Sequence, residues 1–499
     1  MKSLWTLSAS ALALAVAAPS AAQSGSTSAL TPGTVASCAG TSAGNCSDIS
    51  QTGNNDVATV TQNGSRSLSD IDQAGTGDTN TAVVTQTGTD TGLANESLIA
   101  QTAGSQGNLA RVTQDGAANL SDVLQAGDDS EITVLQRGSA NSSQVVQLDG
   151  TSSQSSAAVS QFGTQNVSDV AQLAAASTVS VRQGTDNGLL ESSNNQSFVG
   201  QTAAFSNVAV AQDGENNTSD VYQLTGAADI NVTQNGNANT STVLQAGAMS
   251  LVDVNQTGDD NTATVGQLGV GAVVDVDQNN SSAGDGNNAV VGQLSLGAYA
   301  KVAQDGSGNQ AAVGQLGAST GVGTSLFQYF LDETAFADGD SANFTADVKQ
   351  QGDNNQLIAG QLGVDNSVTV RQIGEGNVSG ERWTSIGIAQ VGERQSASLT
   401  QDGDENTSTI YQGIGDGGSS FDNLATVTQS ASNAASFVQQ NGSLNSATLT
   451  QLAGADGSFS SIIQDGIANT ATVTQSGADS YSTVNQSGNG NTATVTQGS

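Results

Sequence analysis

Apolar and polar residues alternate along most of this chain with a period of two, and the alternation restarts every eleven residues. Glutamine marks the restart. Gln201, Gln212, Gln223, Gln234, Gln245, Gln256, Gln267 and Gln278 follow one another at steps of 11. The step recurs in shorter runs such as Gln114–Gln125–Gln136–Gln147 and Gln464–Gln475–Gln486–Gln497, and 36 such positions lie between Gln51 and Gln497. Two residues before each Gln stands Ile, Val or Leu in 35 of the 36, with Ala359 the exception. Val221, Val232, Val243, Val254, Val265, Val473 and Val495 belong to this set. Four residues before, the side chain is small or aliphatic, as at Ser219, Ile230, Ser241 and Val252; six before, it is often Asn, as at Asn217, Asn239, Asn261, Asn406, Asn469 and Asn491. Successive side chains of a strand point to opposite faces. Asn, the small residue, Val and Gln therefore share an inner face, and the intervening Thr, Ser, Asp and Asn a wet one. A helix of 3.6 residues per turn would scatter the same positions around its circumference.

Gly stands two residues after many of the glutamines, at Gly214, Gly236, Gly258, Gly403 and Gly466 among others. Turns often need a positive φ, which Gly adopts without a Cβ clash. In the central run "NTSTVLQ" (239–245) alternates with "SLVDVNQ" (250–256), so a small inward residue faces a larger one across a thin core. The pattern predicts an all-β fold, a β-solenoid of stacked strand–turn–strand coils with two ~11-residue strand units per ~22-residue coil. Stacking also gives the amides partners. A buried amide is costly unless bonded; with coils about 4.8 Å apart, each Gln and Asn can bond to its equivalents above and below, as in amyloid-like cross-β ladders. Thirty-six strands make roughly 18 coils and a rod on the order of 85 Å.

Departures from the repeat set the expected organisation. Residues 1–22 read as a secretory signal, with Lys2, an apolar stretch from Leu4 to Ala18, and small residues for cleavage near Ala22. Residues 23–46 are a Gly/Ser/Thr-rich lead-in holding Cys38 and Cys46, which in an oxidising compartment could close a local disulfide or stand as free thiols. Repeats fill 47–315 and 350–499. Between them, 316–349 is an insertion concentrating Phe327, Tyr329, Phe330 and Phe336, with three readings: a cap or interruption of the stack, a partner site, or a side loop. A second insertion holds Trp383.

Composition narrows the function. A net charge of −35 lacks the basic footprint of nucleic-acid binding and disfavours anionic lipid surfaces. After the leader, no apolar run approaches the ~20 residues of a membrane helix, so no membrane insertion is expected. With no His in the chain, Ser–His–Asp, Cys–His and the usual zinc constellations are absent. The carboxylates lie at turns and outward positions, which gives no reason for an acid/base pair in a cleft. No catalysis and no cofactor are expected. Acidic turns such as "GDDN" (258–261) and "GDEN" (403–406) read as solvated turns with at most weak Ca²⁺ affinity.

The motif Q-x-G-x-x-N-x-[A/S]-x-V-x-Q resembles the curlin repeat of bacterial curli subunits. Whole copies stand at "QDGENNTSDVYQ" (212–223), "QNGNANTSTVLQ" (234–245), "QTGDDNTATVGQ" (256–267), "QDGDENTSTIYQ" (401–412), "QDGIANTATVTQ" (464–475) and "QSGNGNTATVTQ" (486–497). The resemblance implies a secreted, extracellular, cell-surface β-solenoid that polymerises into amyloid fibres for adhesion and biofilm matrix. Its implied partners are further copies of itself, other curlin-like subunits and a secretion or nucleation apparatus. It also implies core amide ladders at Asn217, Gln223, Asn239, Gln245, Asn261 and Gln267, and at the matching Asn406, Gln412, Asn469, Gln475, Asn491 and Gln497. The repeats here are many more than the handful of familiar major subunits.

Two rival readings remain. A monomeric or capped solenoid could act as a surface adhesin through its side faces. An ice-binding solenoid would use the alternate outward Thr residues of "NTATVTQ" (469–475 and 491–497), but Asp220 with Tyr222, and Thr242 with Leu244, stand at equivalent places and argue against a persistent Thr array. Finally, "SGNGNTATVTQGS" (487–499) reads as a complete repeat, with Asn491, Ala493, Val495 and Gln497 inward. Because solenoids that stay monomeric usually carry an atypical polar cap, this stretch is expected to be a docking face.

Overall fold

The computed structural model describes residues 44–64, 66–74, 79–88, 94–102, 106–148, 154–173, 175–185, 192–280, 285–317, 343–380, 386–414 and 420–498. The expected leader, Cys38, the four insertion aromatics and Trp383 lie outside the described residues. Every described regular element is a β-strand, from Cys46–Gln51 to Thr492–Gln497. All-β architecture built of parallel sheets, stacked as a β-solenoid, is the fold the alternation predicts.

The chain forms two units, Met1–Met249 and Ser250–Ser499. In the first, strands alternate between two parallel sheets. Sheet I runs from Cys46–Gln51 to Thr240–Gln245 and sheet II from Val57–Asn63 to Asp229–Asn235. In the second, sheet III runs from Leu251–Gly258 to Thr492–Gln497 and sheet IV from Thr262–Gln267 to Tyr481–Ser487. Parallel strands need a crossover connection; here it is a turn, one strand of the facing sheet and a second turn. Like therefore lies on like: Ser219 opposite Ser241, Val221 opposite Val243, Gln223 opposite Gln245. A slip of one residue would turn every inward side chain outward.

The inward positions close the core. Val221, Val232, Val243, Val254, Val265 and Val473 are all buried, whereas Val495 is half-buried. Where sheet III lacks Asn six residues before Gln, Ala272, Ala298 and Phe344 fill the space as one apolar cluster.

The insertion does not interrupt the second unit. Tyr299–Asp305 pairs directly with Thr345–Gln351, and Gln310–Gly317 with Gln356–Val364. The repeat already resumes at Phe344, which is buried, rather than at Gln350. The strands on either side of residues 318–342 therefore stay in register. The Trp383 insertion splits one strand of sheet IV into Val378–Ser379 and Ile388–Glu393, both held against Gln356–Val364.

Many turns hold two left-handed residues. Gly138, two after Gln136, has φ 115°, and Ala140, two further on, has φ 57°. The Ala140 N–H then donates to the Ala117 carbonyl of the preceding coil at 2.9 Å. The first position was legible as Gly. The second was not, because Ala, Asn, Asp and Glu fill it, as at Ala238, Asn216, Asp260 and Glu405.

Candidate functional site

The features that could carry function are the columns of amides running through the core. Gln201 Nε2 donates to Gln223 Oε1 at 2.7 Å, and Gln223 Nε2 to Gln245 Oε1 at 3.1 Å. Sheet II repeats the arrangement, with Gln183 donating to Gln212 at 2.9 Å and Gln212 to Gln234 at 2.8 Å. In the second unit Gln267 donates to Gln293, Gln390 to Gln412, Gln412 to Gln440, Gln451 to Gln475 and Gln475 to Gln497, all at 2.8–3.1 Å. The bonds Gln304 to Gln350 and Gln315 to Gln361, at 2.8 and 2.9 Å, span the insertion.

The second hydrogen of each Nε2 is used as well. Gln223 gives it to the Ala228 carbonyl at 2.7 Å and Gln475 to the Phe459 carbonyl at 3.1 Å. These carbonyl acceptors fix which way each amide faces. Every Gln ladder bond therefore runs from the lower-numbered coil to the higher.

The Asn ladders run the other way. Asn239 donates through both its backbone N–H and its Nδ2 to Asn217 Oδ1, at 3.0 and 3.1 Å. Asn491 does the same to Asn469 Oδ1, at 3.0 and 2.9 Å. The other Nδ2 hydrogen reaches forward to a turn carbonyl of the next coil, as from Asn217 to Gly236 and from Asn469 to Gly488, both at 2.7 Å. Side chain, turn and strand are thereby coupled between successive coils. Amides buried without such partners would each be costly; here Gln223, Asn217, Asn239, Gln245, Gln475 and Asn469 have no exposed surface.

The structure separates residues that the repeat makes look alike. Asn217, Gln223, Asn239 and Gln245 stand on sheet I. Asn261, Gln267, Asn406 and Gln412 stand on sheet IV, while Asn469, Gln475, Asn491 and Gln497 stand on sheet III. The Asn column thus occupies sheet IV early in the second unit and sheet III late. On sheet IV it ends at Asn406, whose Oδ1 accepts the Ala434 N–H at 3.0 Å while its Nδ2 finds no partner among the described residues. Asn491 and Gln497 are less buried than their equivalents. Cys46 is disulfide-bonded.

The small inward position on sheet I is serine in every strand from Ser69 to Ser241, each buried with no hydrogen-bond partner for its Oγ among the described residues. On sheet IV, Ser436 donates to Ser408 at 2.8 Å. The sequence marked this column as small but not as polar and buried.

The outward face of sheet I carries Asp122, Asp169 and Asp220 in one column, with Phe198 between the last two. Burial raises all three carboxyls above the ordinary value, opposed at Asp122 by a hydrogen bond from Gln144. A folded carboxyl above its unfolded value of about 3.9 favours the fold below that pH. The contribution is lost as pH rises through the folded value. The first unit should therefore gain stability between pH 7 and about pH 4. Joint Asp169→Asn and Asp220→Asn substitution should raise the urea midpoint at pH 7 and shrink that gain; an unchanged pH dependence would refute the assignment.

Among the described residues, no helix is long and apolar enough to cross a membrane. No curated protein matches the chain. The Curlin associated repeat matches it at residues 47–75, 106–138, 227–258 and 466–498. The last stretch holds three successive strands, Thr470–Gln475, Tyr481–Ser487 and Thr492–Gln497, with the Asn and Gln bonds described above. Motif, coil geometry and these four matches agree, and the chain is a curlin-repeat protein.

Proposed function

We propose that the protein is a secreted, extracellular structural protein that assembles coil upon coil into curli-like amyloid fibres serving adhesion and biofilm matrix. One observation carries this reading. Each coil is held to the next by in-register backbone bonds and two kinds of amide ladder, so a coil of another copy offers the same set of groups as the next coil of the same chain. Templating needs nothing else. Partners under this reading are further copies, other curlin-like subunits and an export or nucleation apparatus; catalysis and cofactors play no part.

The test is unseeded incubation of the purified chain, followed by electron microscopy and fibre diffraction. Unbranched fibres with a meridional reflection near 4.8 Å are expected. Persistently single particles without that reflection would defeat the fibre reading and leave a solenoid adhesin that works through its side faces.

A further inference from the structure

The outward face of sheet III changes character along its length. Its early strands carry charge, including Asp253, Asp275 and Lys301, with Lys301 Nζ 2.9 Å from Asp275 Oδ2. From Ser396–Asp402 onward, five consecutive strands present only hydroxyl side chains at two outward positions. One column runs in register from Ser398 to Thr494 and the other from Thr400 to Thr496, nine threonines and one serine. Buried neighbours fix the orientation: Ala447, Leu449 and Gln451 point in, so Thr448 and Thr450 point out. No Asp, Glu, Lys or Arg enters either column, in a chain of net charge −35.

Asp220 with Tyr222, and Thr242 with Leu244, speak against a Thr array only if they share its surface. Those residues stand on sheet I. Thr472, Thr474, Thr494 and Thr496 stand on sheet III, so the comparison joined two different surfaces. Within the last five strands of sheet III the array persists from coil to coil.

Its spacing has a physical consequence. Successive hydroxyls in a column are about 4.8 Å apart, and the two columns about 6.7 Å apart. Hydrogen-bonded waters sit about 2.75 Å apart, so two waters bonded tetrahedrally to a third are about 4.5 Å apart. One water can therefore bridge successive Thr hydroxyls at a near-tetrahedral angle, and a row of such waters reproduces the second-neighbour spacing of ice within a few tenths of an ångström. The β-branched Thr side chain is stiff at χ1, so methyls and hydroxyls keep their places. A charged ligand would meet no counter-charge here. We propose that this face of sheet III binds ice through an ordered layer of water held by the two hydroxyl columns.

The test uses the full chain, freshly purified, in freezing-point hysteresis and ice-crystal shape measurements. Faceted crystals and measurable hysteresis are expected. Thr450→Lys with Thr474→Lys, at the centre of the face, should lower hysteresis at least tenfold. Thr450→Val with Thr474→Val, which keeps shape, should lower it several-fold. Thr242→Lys, outward on sheet I, should leave it within twofold. Circular dichroism of each variant separates lost binding from lost fold. Rounded crystals and no hysteresis from the folded parent chain would overturn the proposal, as would equal loss in Thr242→Lys. Lysine-sensitive pairing of copies in light scattering, without hysteresis, would assign the face to a second copy instead. Fibres are scored separately by microscopy, so hysteresis without fibres defeats the fibre reading and leaves the ice face standing.

Discussion

Gln223→Ala should lower the stability of the first unit by about 3–6 kcal/mol, read as a shift in urea midpoint at unchanged slope. The amide sits inside the sheet I ladder, bonded on both sides, with three partners. Its loss does not harm them equally. The Ala228 carbonyl keeps the Asn207 N–H at 3.1 Å. Gln201 Nε2 keeps its bond to the Ser206 carbonyl but loses its acceptor in the ladder, and Gln245 Oε1 loses the donor beneath it. Two buried groups thus each lose a ladder bond, at roughly 1–3 kcal/mol apiece, and the missing side chain adds a cavity. Gln62→Ala is the control. Gln62 is half-buried and near the start of the described ladder, so water can replace its partners and the loss should be less than half as large. Equal losses at both positions would show that the ladder contributes no more than an exposed amide.

Gly138→Ala should cost on the order of 3 kcal/mol, whereas Ala140→Gly in the same turn should stabilise by about 1 kcal/mol. Gly138 has a positive φ, and a Cβ there would collide with the Gly163 carbonyl of the next coil. That carbonyl cannot retreat freely, because it accepts from Asn141 Nδ2 at 3.0 Å. Ala140 also has a positive φ, and there a Cβ already present is the burden that Gly removes. Opposite signs two residues apart are the signature to look for in thermal or urea unfolding. Destabilisation by both would mean that the second turn residue is not strained.

Strand, inward face and coil period were legible because each depends on spacing alone. Val221, Gln223 and Asn217 recur at fixed intervals, and alternation assigns their face without any knowledge of partners. What lay beyond spacing needed the third dimension. The direction of a ladder depends on which carbonyl an amide meets, and the carbonyls of Ala228 or Phe459 carry no side-chain signal. The move of the Asn column from sheet IV to sheet III was hidden because both sheets read as the same repeat. Ala140 could not be recognised as left-handed, since nothing in an Ala announces its φ. The Thr face was obscured for a related reason: the residues set against it, Asp220, Tyr222, Thr242 and Leu244, belong to another sheet, and the repeat reads alike on both. Phe344 falls within 316–349 because those bounds follow the recurring Gln315 and Gln350, yet it fills the space Asn leaves.

The opposed ladders also bear on symmetry. Toward the next coil, each coil turns Gln donors and Asn Oδ1 acceptors; toward the previous coil, Gln Oε1 acceptors and Asn donors. The two faces complement each other and neither complements itself, so a two-fold contact between like faces would set donor against donor. Contact between copies through such faces is heterologous, and a heterologous contact that does not close into a ring propagates without limit. If copies meet through such faces, no symmetric dimer forms on this surface, and any growth beyond a single molecule has one direction.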